Sequence, residues 1–347
     1  MKIVMPDELR LMVASIFGSR GVPEPDREIV ARCLVQADLR GVESHGVMRV
    51  PHYIRRLDVG SVNPTPHSVV TRTGPATATL DGDDGLGHVA MWEAMGVAMD
   101  LAHEAGVGLV GVNRSSHCGM LAFFALRAVE AKLIGVALSQ TDKGVVPYGG
   151  REPFFGTNPL CVGIPAESGP PIVLDMATST VAGGHIFKAR IDSRPIPDTW
   201  ALDVDGKPTT DPHKAAYWTP AAGAKGYGLG VIVDVLTGIL SGGAYGPHVP
   251  AMYGDFDKKR RLCHLAAAID FRRFAGSETF LRQIPAMLQE VHQAPTSEGF
   301  ERVLAPGEPE YFMEAERTQN GIPLLDQVWR DLVELNRGAG APDLAET

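Results

Sequence analysis

The 347-residue sequence has few cysteines, no excess of basic residues and no long uninterrupted apolar run. Its four cysteines form no CxxC pair, which favours a reducing compartment and gives no zinc-site spacing. The net charge of −9 and the lack of a basic stripe argue against a nucleic-acid partner. The most apolar stretch, residues 229–239, is too short to span a bilayer, so we expect no membrane partner. Because the N-terminus lacks the pattern of a signal peptide, we expect a cytoplasmic protein.

The sequence does contain a succession of helical patterns and buried strands, and its length predicts two or three lobes, with a single large α/β domain as the alternative. Helices are predicted over 6–18, from Asp26 to about Arg40, from Ser44 to Leu57, over 87–105, and at about 277–292 and 323–336. A turn-rich surface segment is predicted over 183–224, and a frayed tail after Gly338. Apolar runs at 108–113, 134–141 and 172–178 read as strands, and each ends in polar or small residues. Such strands predict an α/β protein with one crevice at the strand ends.

The first of these strands leads into the polar loop Arg114-Ser-Ser-His-Cys, with His117 at its tip, before the next helical pattern. A histidine in this position can exchange a proton near neutral pH. The same loop would also suit a histidine that only satisfies hydrogen bonds, and the loop alone does not decide between the two. Asp142 follows the second strand, where it is either a turn residue or a group within reach of His117 or a ligand.

The segment after Ser44 places His45, Arg49 and Tyr53 four residues apart, so on a helix they share one face. An imidazole, a guanidinium and a phenol on one face could bind an acid, because arginine grips a carboxylate through two parallel hydrogen bonds. A solvated polar face is the alternative interpretation. Pro51 is awkward within this helix, since it removes a backbone amide.

Two glycine-rich segments need separate treatment. Residues 106–111 satisfy the pattern GxGxxG, but they follow a helix and open a strand, the reverse of a dinucleotide-binding fingerprint. Gly106 is therefore interpreted as a helix C-cap. Lys225 lies between glycines at a predicted helix entrance, where a phosphate could bind, although the spacing is not that of a P-loop.

Several unusual strings occur in order along the chain. They are Ser44-His-Gly with Arg49 and Tyr53, Ser116-His-Cys-Gly, Phe155-Gly-Thr-Asn-Pro-Leu, Asp175-Met-Ala-Thr, Lys225-Gly-Tyr-Gly-Leu and Pro306-Gly-Glu. Together they resemble the malate/L-lactate dehydrogenase family that lacks a Rossmann domain, over about residues 5–325. Within it, Pro197-Asp-Thr-Trp and Ala251-Met-Tyr-Gly-Asp look most like the ureidoglycolate dehydrogenase branch, whereas Ile269-Asp-Phe-Arg-Arg departs from that branch.

The resemblance implies an α/β fold with a large mixed sheet, flanking helices and a helical lobe from both chain ends. The lobe is expected over 1–68, completed by about 300–347, and the α/β domain over 69–299. A homodimer with its active site near the interface, no metal, and NAD or NADP as cofactor are also implied. By position, His117 matches the catalytic histidine, and His45, Arg49 and Tyr53 match the substrate side. The positions that match cofactor contacts are Thr141, Asp175, Met176, Ala177, Lys225, Gly307 and Glu308.

The resulting hypothesis is hydride transfer between NAD or NADP and a small 2-hydroxy acid that is ureidoglycolate-, malate- or lactate-like. His117 would take the hydroxyl proton, Arg49 would hold the carboxylate, and Tyr53 and His45 would add hydrogen bonds. Asp142 would orient His117 or contact the nicotinamide side. Two alternatives are an NAD(P)H-dependent cyclic imine (ketimine) reductase and a non-catalytic member that only binds a metabolite.

Overall fold

The computed structural model describes residues 1–274 and 276–338, so the tail predicted to fray lies largely outside the described residues. The strands are β1 (Lys2–Val4), β2 (Val69–Arg72), β3 (Thr77–Asp81), β4 (Val107–Ser115), β5 (Ile134–Ser139), β6 (Leu160–Ile164), β7 (Ile172–Met176), β8 (Ala201–Leu202), β9 (Tyr217–Trp218), β10 (Leu262–Ile269) and β11 (Ile322–Leu324). The helices are α1 (Pro6–Gly18), α2 (Glu24–Leu39), α3 (Val50–Asp58), α4 (Gly87–Ala105), α5 (Ala122–Glu130), α6 (Gly183–Ile191), α7 (Ala224–Asp234), α8 (Ser277–His292), α9 (Glu308–Asn320) and α10 (Asp326–Arg337).

Seven strands form one mixed sheet in the order β2-β3-β4-β10-β5-β6-β7. β3 and β4 pair in parallel, and the other neighbouring pairs are antiparallel. Because β10 and β6 run opposite to the strands on either side of them, β4, β5 and β7 share one direction and end at one edge. This sheet confirms the predicted α/β fold and the predicted convergence of the three strand ends.

The main hydrophobic core lies where α4 and α5 pack on this sheet. Close packing depends on glycine at two strand positions. A Cβ on Gly108 would lie 2.0 Å from the carbonyl oxygen of Ala98 in α4, and one on Gly135 would lie 2.6 Å from that of Ala125 in α5. The glycines therefore let both helices approach the strands to backbone contact. Gly106 caps α4 with φ +89°, which confirms that the GxGxxG pattern is a helix end rather than a nucleotide fingerprint.

A second core confirms the helical lobe built from both chain ends. It unites buried side chains of α1, α2 and α3 with those of β11 and α10. β1 pairs with β11 in antiparallel register, so that Lys2 lies opposite Leu324. The two ends of the chain are therefore joined by backbone hydrogen bonds as well as by apolar contacts.

The predicted single helix from Ser44 to Leu57 is wrong. Two 3-10 turns occupy 43–49, and α3 begins at Val50 with Pro51 in its first turn, where a missing amide is harmless. Between the turns Gly46 is extended, and a Cβ there would lie 2.1 Å from the carboxylate of Asp38. That carboxylate accepts the amide of Val47 at 2.7 Å, which fixes the bend.

Other elements differ because their local signals are weak. α6 starts at a glycine pair inside the segment predicted to be turns. β6 and α9 were not predicted: β6 is only five residues long, and α9 follows a segment interpreted as a cofactor loop. α10 starts at Asp326 rather than 323, since residues 322–324 pair with β1.

The apolar stretch 229–239 lies in α7 and in a π-helical turn that continues it from Val235 to Ile239. Asp234, at the junction, accepts the amide of Gly246 at 3.0 Å and Nδ2 of Asn158 at 3.3 Å. It is thus a buried hydrogen-bonded group, as expected from its place in an apolar helix. None of the helices within the described residues combines the length and the apolarity needed to cross a membrane.

Candidate active site

The edge at which β4, β5 and β7 end carries much of the predicted site. His117 follows the end of β4, Thr141 and Asp142 follow β5, and Met176 closes β7. The strand directions therefore bring together residues that are far apart in the sequence. Polar groups at the strand ends of an α/β sheet commonly form a ligand site.

His117 is held by two contacts to one ring nitrogen. Its Nδ1 lies 2.7 Å from the hydroxyl of Tyr53 on α3 and accepts the amide N–H of Gly119 at 3.1 Å. The other ring nitrogen, Nε2, takes part in neither of these contacts. In the uncharged ring, an Nδ1 that accepts the Gly119 N–H places the proton on Nε2.

The hydroxyl of Tyr53 gives this ring a second option, because a phenol both donates and accepts. When the proton is on Nδ1 of His117, the Tyr53 oxygen can accept it, the Gly119 N–H loses this acceptor, and Nε2 is free to take a proton from a ligand. When the proton is on Nε2, the phenol can donate to Nδ1 instead. The contact therefore supports proton uptake and proton release at Nε2.

Electrostatics favours an uncharged imidazole at neutral pH. Desolvation by the surrounding side chains holds the pKa of His117 well below its usual range, and neighbouring His45 and positive Arg49 lower it further. Burial raises the pKa of Tyr53 well above the ordinary phenol value, so Tyr53 keeps its proton. An uncharged His117 beside a protonated phenol can act first as a base when its own proton lies on Nδ1.

The loop that carries His117 is anchored from behind by a second histidine. His264 on β10 is fully buried, and its Nε2–H donates to the carbonyl oxygen of Ser116 at 3.1 Å. Its Nδ1 faces the hydroxyl of Ser139 at 2.9 Å. This fixed tautomer ties the end of β4 to that of β5, which limits movement of His117.

The predicted substrate side lies next to His117. The ring of His45 stacks on that of His117, with centroids 5.7 Å apart and planes at 23°. Nε of Arg49 donates to the carbonyl oxygen of Ser44 at 2.6 Å, and Nη1 donates to the hydroxyl of Tyr253. The broken helix thus still brings His45, Arg49 and Tyr53 to the site, although not as a single helix face.

Asp142 has different partners from those expected. One carboxylate oxygen accepts Nη2 of Arg260 at 2.7 Å, and the other accepts the amide of Met252 at 3.0 Å. These contacts give Asp142 a positioning role toward Arg260 and the 251–253 segment. A direct role beside His117 stays a prediction.

Arg260 is the site residue that sequence reasoning missed. Its side chain is 1% exposed, and its charge contributes to the low pKa of His117. It lies in the run Lys258-Lys-Arg-Arg, which resembles an ordinary solvated charge cluster. One feature of the sequence could have identified Arg260, namely its position just before the strand β10. Because β10 runs antiparallel to β4 and β5, its start lies at the edge of the sheet where those two strands end.

The predicted cofactor residues begin with a chain of threonine contacts. Oγ1 of Thr141 accepts the amide of Thr157 at 2.8 Å. The carbonyl oxygen of Thr157 accepts both the amide (2.8 Å) and the hydroxyl (2.9 Å) of Thr178, and the Thr178 carbonyl accepts the amide of Ala221 at 2.9 Å. These bonds join the ends of β5 and β7 to the segment that leads into α7.

Lys225 is exposed on the first turn of α7, which has no side-chain cap. The amides of Ala224 and Lys225, the positive end of the helix dipole and the Lys225 ammonium group together suit a phosphate, whereas the amide of Gly226 already donates to the carbonyl oxygen of Ala221 at 2.8 Å. Met176 and Ala177 are partly exposed where β7 ends. This part of the structure is compatible with a nicotinamide dinucleotide, and cofactor contacts by Lys225, Met176 and Ala177 stay predictions.

The remaining cofactor candidates make contacts within the protein. A Cβ on Gly307 would lie 2.8 Å from the backbone oxygen of Val173, so this turn packs directly against β7. Oε2 of Glu308 accepts Nε2 of His292 at 2.9 Å and the amide of Ala305 at 2.8 Å. Asp175 accepts the first amide of α5, that of Ala122, at 2.8 Å. Cofactor contacts by Gly307, Glu308 and Asp175 stay predictions.

Behind the site, His88 is fully buried and lies edge-on to Tyr53, with centroids 5.0 Å apart. Neither ring nitrogen has a hydrogen-bond partner among the described residues. Burial lowers the pKa of His88 to about 3. An unfolded histidine binds a proton at about pH 6.5, whereas folded His88 stays uncharged down to about pH 3. The free energy of unfolding is therefore highest, as far as His88 is concerned, above pH 6.5, and it falls as the pH drops toward 3.

We expect His88→Leu to weaken the acid sensitivity of folding. Leucine fills a similar space without an unpartnered nitrogen, so stability at pH 7 should be equal or higher. Between pH 6 and 4, the free energy of unfolding should fall less steeply in the variant than in the unmodified protein. The two slopes should differ by about 1.4 kcal/mol per pH unit. Urea unfolding at several pH values measures this slope, and an unchanged slope would contradict the assignment.

The chain is similar to known proteins over almost its entire length. Residues 4–333 match the model of the malate/L-lactate dehydrogenase family. A ureidoglycolate dehydrogenase (NAD(+)) of Escherichia coli is 36% identical over 327 residues, which is 94% of each chain.

Two solved structures show the same likeness. Sulfolactate dehydrogenase from Methanocaldococcus jannaschii has a TM-score of 0.92 at 35% identity, covering 98% of both chains. Delta1-piperideine-2-carboxylate reductase from Pseudomonas syringae pvar. tomato has a TM-score of 0.86 at 28% identity, covering 96% of this chain and 100% of that one.

Proposed function

Because this chain belongs to the malate/L-lactate dehydrogenase family and is an NAD(P)-dependent oxidoreductase, we propose that it oxidises a small 2-hydroxy acid with His117 as the acid/base. The observation that carries the proposal is the 2.7 Å contact between Nδ1 of His117 and the hydroxyl of Tyr53, which can donate to this nitrogen or accept from it. It leaves Nε2 as the proton-exchanging atom, and it does so beside Arg49 and His45, which can hold an acid.

In the oxidation direction, Nε2 of His117 accepts the proton of the substrate hydroxyl. The tautomer that permits this carries its proton on Nδ1 and donates it to the oxygen of Tyr53. Arg49 holds the substrate carboxylate through paired N–H donors, in place of its present bond to Tyr253. The bound nicotinamide supplies the hydride chemistry.

In the reduction direction, the imidazolium of His117 returns the proton to the substrate oxygen from Nε2. A bound carboxylate favours that imidazolium, because a negative charge nearby raises the pKa of a histidine. On the cofactor side, Lys225 and the amides of Ala224 and Lys225 would hold phosphate, and Met176 and Ala177 would line the bound cofactor.

A spectrophotometric panel tests the proposal. Ureidoglycolate, malate, lactate and sulfolactate are each supplied with NAD and with NADP, and absorbance of the reduced nicotinamide is followed. We expect turnover of at least one acid, with a ureidoglycolate-like acid favoured by the 36% identical relative. Nucleotide binding without an absorbance change on any acid would instead support a non-catalytic member.

A second candidate function is reduction of a cyclic imine. The structural likeness to delta1-piperideine-2-carboxylate reductase favours it, because one protein of this fold is named for that activity. Here His117 or His45 would donate a proton to the ring nitrogen instead of exchanging one with a hydroxyl. Oxidation of reduced cofactor by a cyclic imine, without turnover of any 2-hydroxy acid, would favour this candidate.

A homodimer is supported by an apolar surface on α7 and its π-helical continuation. Five side chains there are between 40% and 58% exposed: Leu229, Ile232, Val235, Ile239 and Leu240. Contiguous apolar surface of this kind is typical of a subunit interface. Because α7 also carries Lys225, a partner on this face would lie close to the cofactor side of the site.

We expect Ile232→Asp to convert a dimer into a monomer, since a charge in an apolar interface loses its hydration. Light scattering after gel filtration should give twice the 37.1 kDa chain mass for the unmodified protein and a single chain mass for the variant. Val204→Asp, on another exposed apolar residue, is the matched control and should stay dimeric. A monomeric unmodified protein would exclude the homodimer.

A further inference from the structure

We propose that Arg260 is a specificity-determining residue that binds a second oxygen-bearing group of the substrate, on the side away from the carboxylate held by Arg49. This inference rests on the proposed oxidation of a 2-hydroxy acid. It adds a substrate class, namely acids that carry a carboxylate, sulfonate or carbonyl oxygen beyond the hydroxyl-bearing carbon.

The first observation is incomplete hydrogen bonding of a buried cation. Arg260 is 1% exposed at its side chain, yet only Nη2 has a partner, Asp142 at 2.7 Å. Within residues 1–274 and 276–338, Nε and Nη1 have no hydrogen-bond partner. A guanidinium presents five N–H donors, and leaving several unused in a buried place is costly unless a ligand completes them.

The second observation is the position of this guanidinium relative to the site. Asp142 holds Arg260 through one oxygen and the amide of Met252 through the other. The next residue, Tyr253, places its hydroxyl on Arg49. The 251–253 segment therefore connects the two arginines. The charge of Arg260 is also the smallest of the contributions that lower the pKa of His117, after burial and the charges of His45, Arg49 and His88.

The neighbouring Arg56 differs from Arg260 because its hydrogen bonds indicate a purely structural role. Arg56 is also buried, but it donates to the carbonyl oxygens of Ala251, Met252 and Lys258. It thereby fastens α3 to the 251–258 segment. Among the described residues Arg260 has no such backbone acceptor, so its unpaired donors suit a ligand rather than a role in holding the fold.

The charge and geometry of Arg49 and Arg260 indicate what each of them can bind. Arg49 binds the carboxylate next to the reacting carbon, and Arg260 binds an acceptor oxygen further along the molecule. A substrate without that oxygen would leave the Nε and Nη1 donors of Arg260 unpaired. The site should therefore discriminate against lactate, whose methyl group offers no acceptor.

The test compares kcat/KM for malate, sulfolactate, ureidoglycolate and lactate in the unmodified protein and in Arg260→Gln. For the best acceptor-bearing acid, Arg260→Gln should lower kcat/KM by ~10- to 100-fold, mainly through KM. For lactate it should change kcat/KM by less than about threefold. Arg260→Lys keeps the ion pair with Asp142 and should give an intermediate loss. Equal losses for lactate and for the acceptor-bearing acids would overturn the inference.

Two further measurements keep the result interpretable. Arg261→Gln is the matched control, because its side chain is 64% exposed and pairs with Asp84, and all substrates should keep their kinetics. Thermal stabilisation by malate, relative to lactate, should be lost in Arg260→Gln and reduced in Arg260→Lys whether or not turnover is observed. Absence of turnover on every acid would refute the proposed function, whereas malate stabilisation that survives both substitutions would refute the role of Arg260.

Discussion

Replacing His117 with alanine is expected to lower kcat by ~100- to 10,000-fold in both directions, the usual range for loss of a general acid/base. The imidazole is the group proposed to exchange the proton through Nε2, since Tyr53 and the Gly119 amide contact Nδ1. With the ring removed, the phenol of Tyr53 stays protonated because burial raises its pKa, so it is a poor substitute base. Steady-state oxidation and reduction at pH 7 measure the loss.

The control for this substitution is His67→Gln, on an exposed residue outside the site, which should keep kcat. The alanine variant should also bind reduced cofactor as tightly as the unmodified protein, because Lys225 and α7 are unchanged. Near-full turnover in the alanine variant would remove His117 from the proton-transfer role. Loss of cofactor binding would instead indicate a structural defect.

Replacing Arg49 with glutamine is expected to lower kcat/KM for the acid by ~100- to 1,000-fold, chiefly by raising KM, since a charge-assisted pair is lost. Arg49→Lys keeps the charge but not the planar fork, so its KM should be intermediate. Substrate titrations of the three proteins test this order. An unchanged KM in both variants would exclude Arg49 as the carboxylate ligand.

The same substitution has a consequence for pH dependence. Oxidation needs uncharged His117, so kcat/KM should fall as pH drops below the pKa of this ring. Burial is the main cause of that low pKa, and the positive charge of Arg49 adds to it. Removing the charge raises the pKa, and the acid limb of the profile should move to higher pH in Arg49→Gln. A limb that stays in place or moves to lower pH would contradict this electrostatic account.

The sequence predicted those parts of the fold that depend on local pattern. Helices over 6–18 and 87–105 have strong periodicity and clear ends, and the structure has them at these positions. The convergence of three polar strand ends was also predictable, because each strand is apolar and each is followed by polar or small residues. The interpretation of Gly106 as a helix cap needed only its order relative to helix and strand.

What the sequence did not reveal depends on contacts between distant segments. The break at Gly46 is imposed by Asp38, and a spacing argument for residues 45, 49 and 53 does not include that carboxylate. Likewise, Arg260 resembles a surface charge until β10 is paired between β4 and β5. The partners of Asp142 became clear only once the 251–253 segment was placed against it.

The central claim is that Nε2 of His117 moves the proton during hydride transfer, and chemical rescue tests it most directly. Single-turnover formation of reduced nicotinamide is measured in His117→Ala with and without added imidazole, using the acid that the unmodified protein oxidises best. The account predicts slow turnover that imidazole accelerates in a concentration-dependent way, while His67→Gln is unaffected. Hydride transfer at the unmodified rate in His117→Ala without imidazole would contradict it.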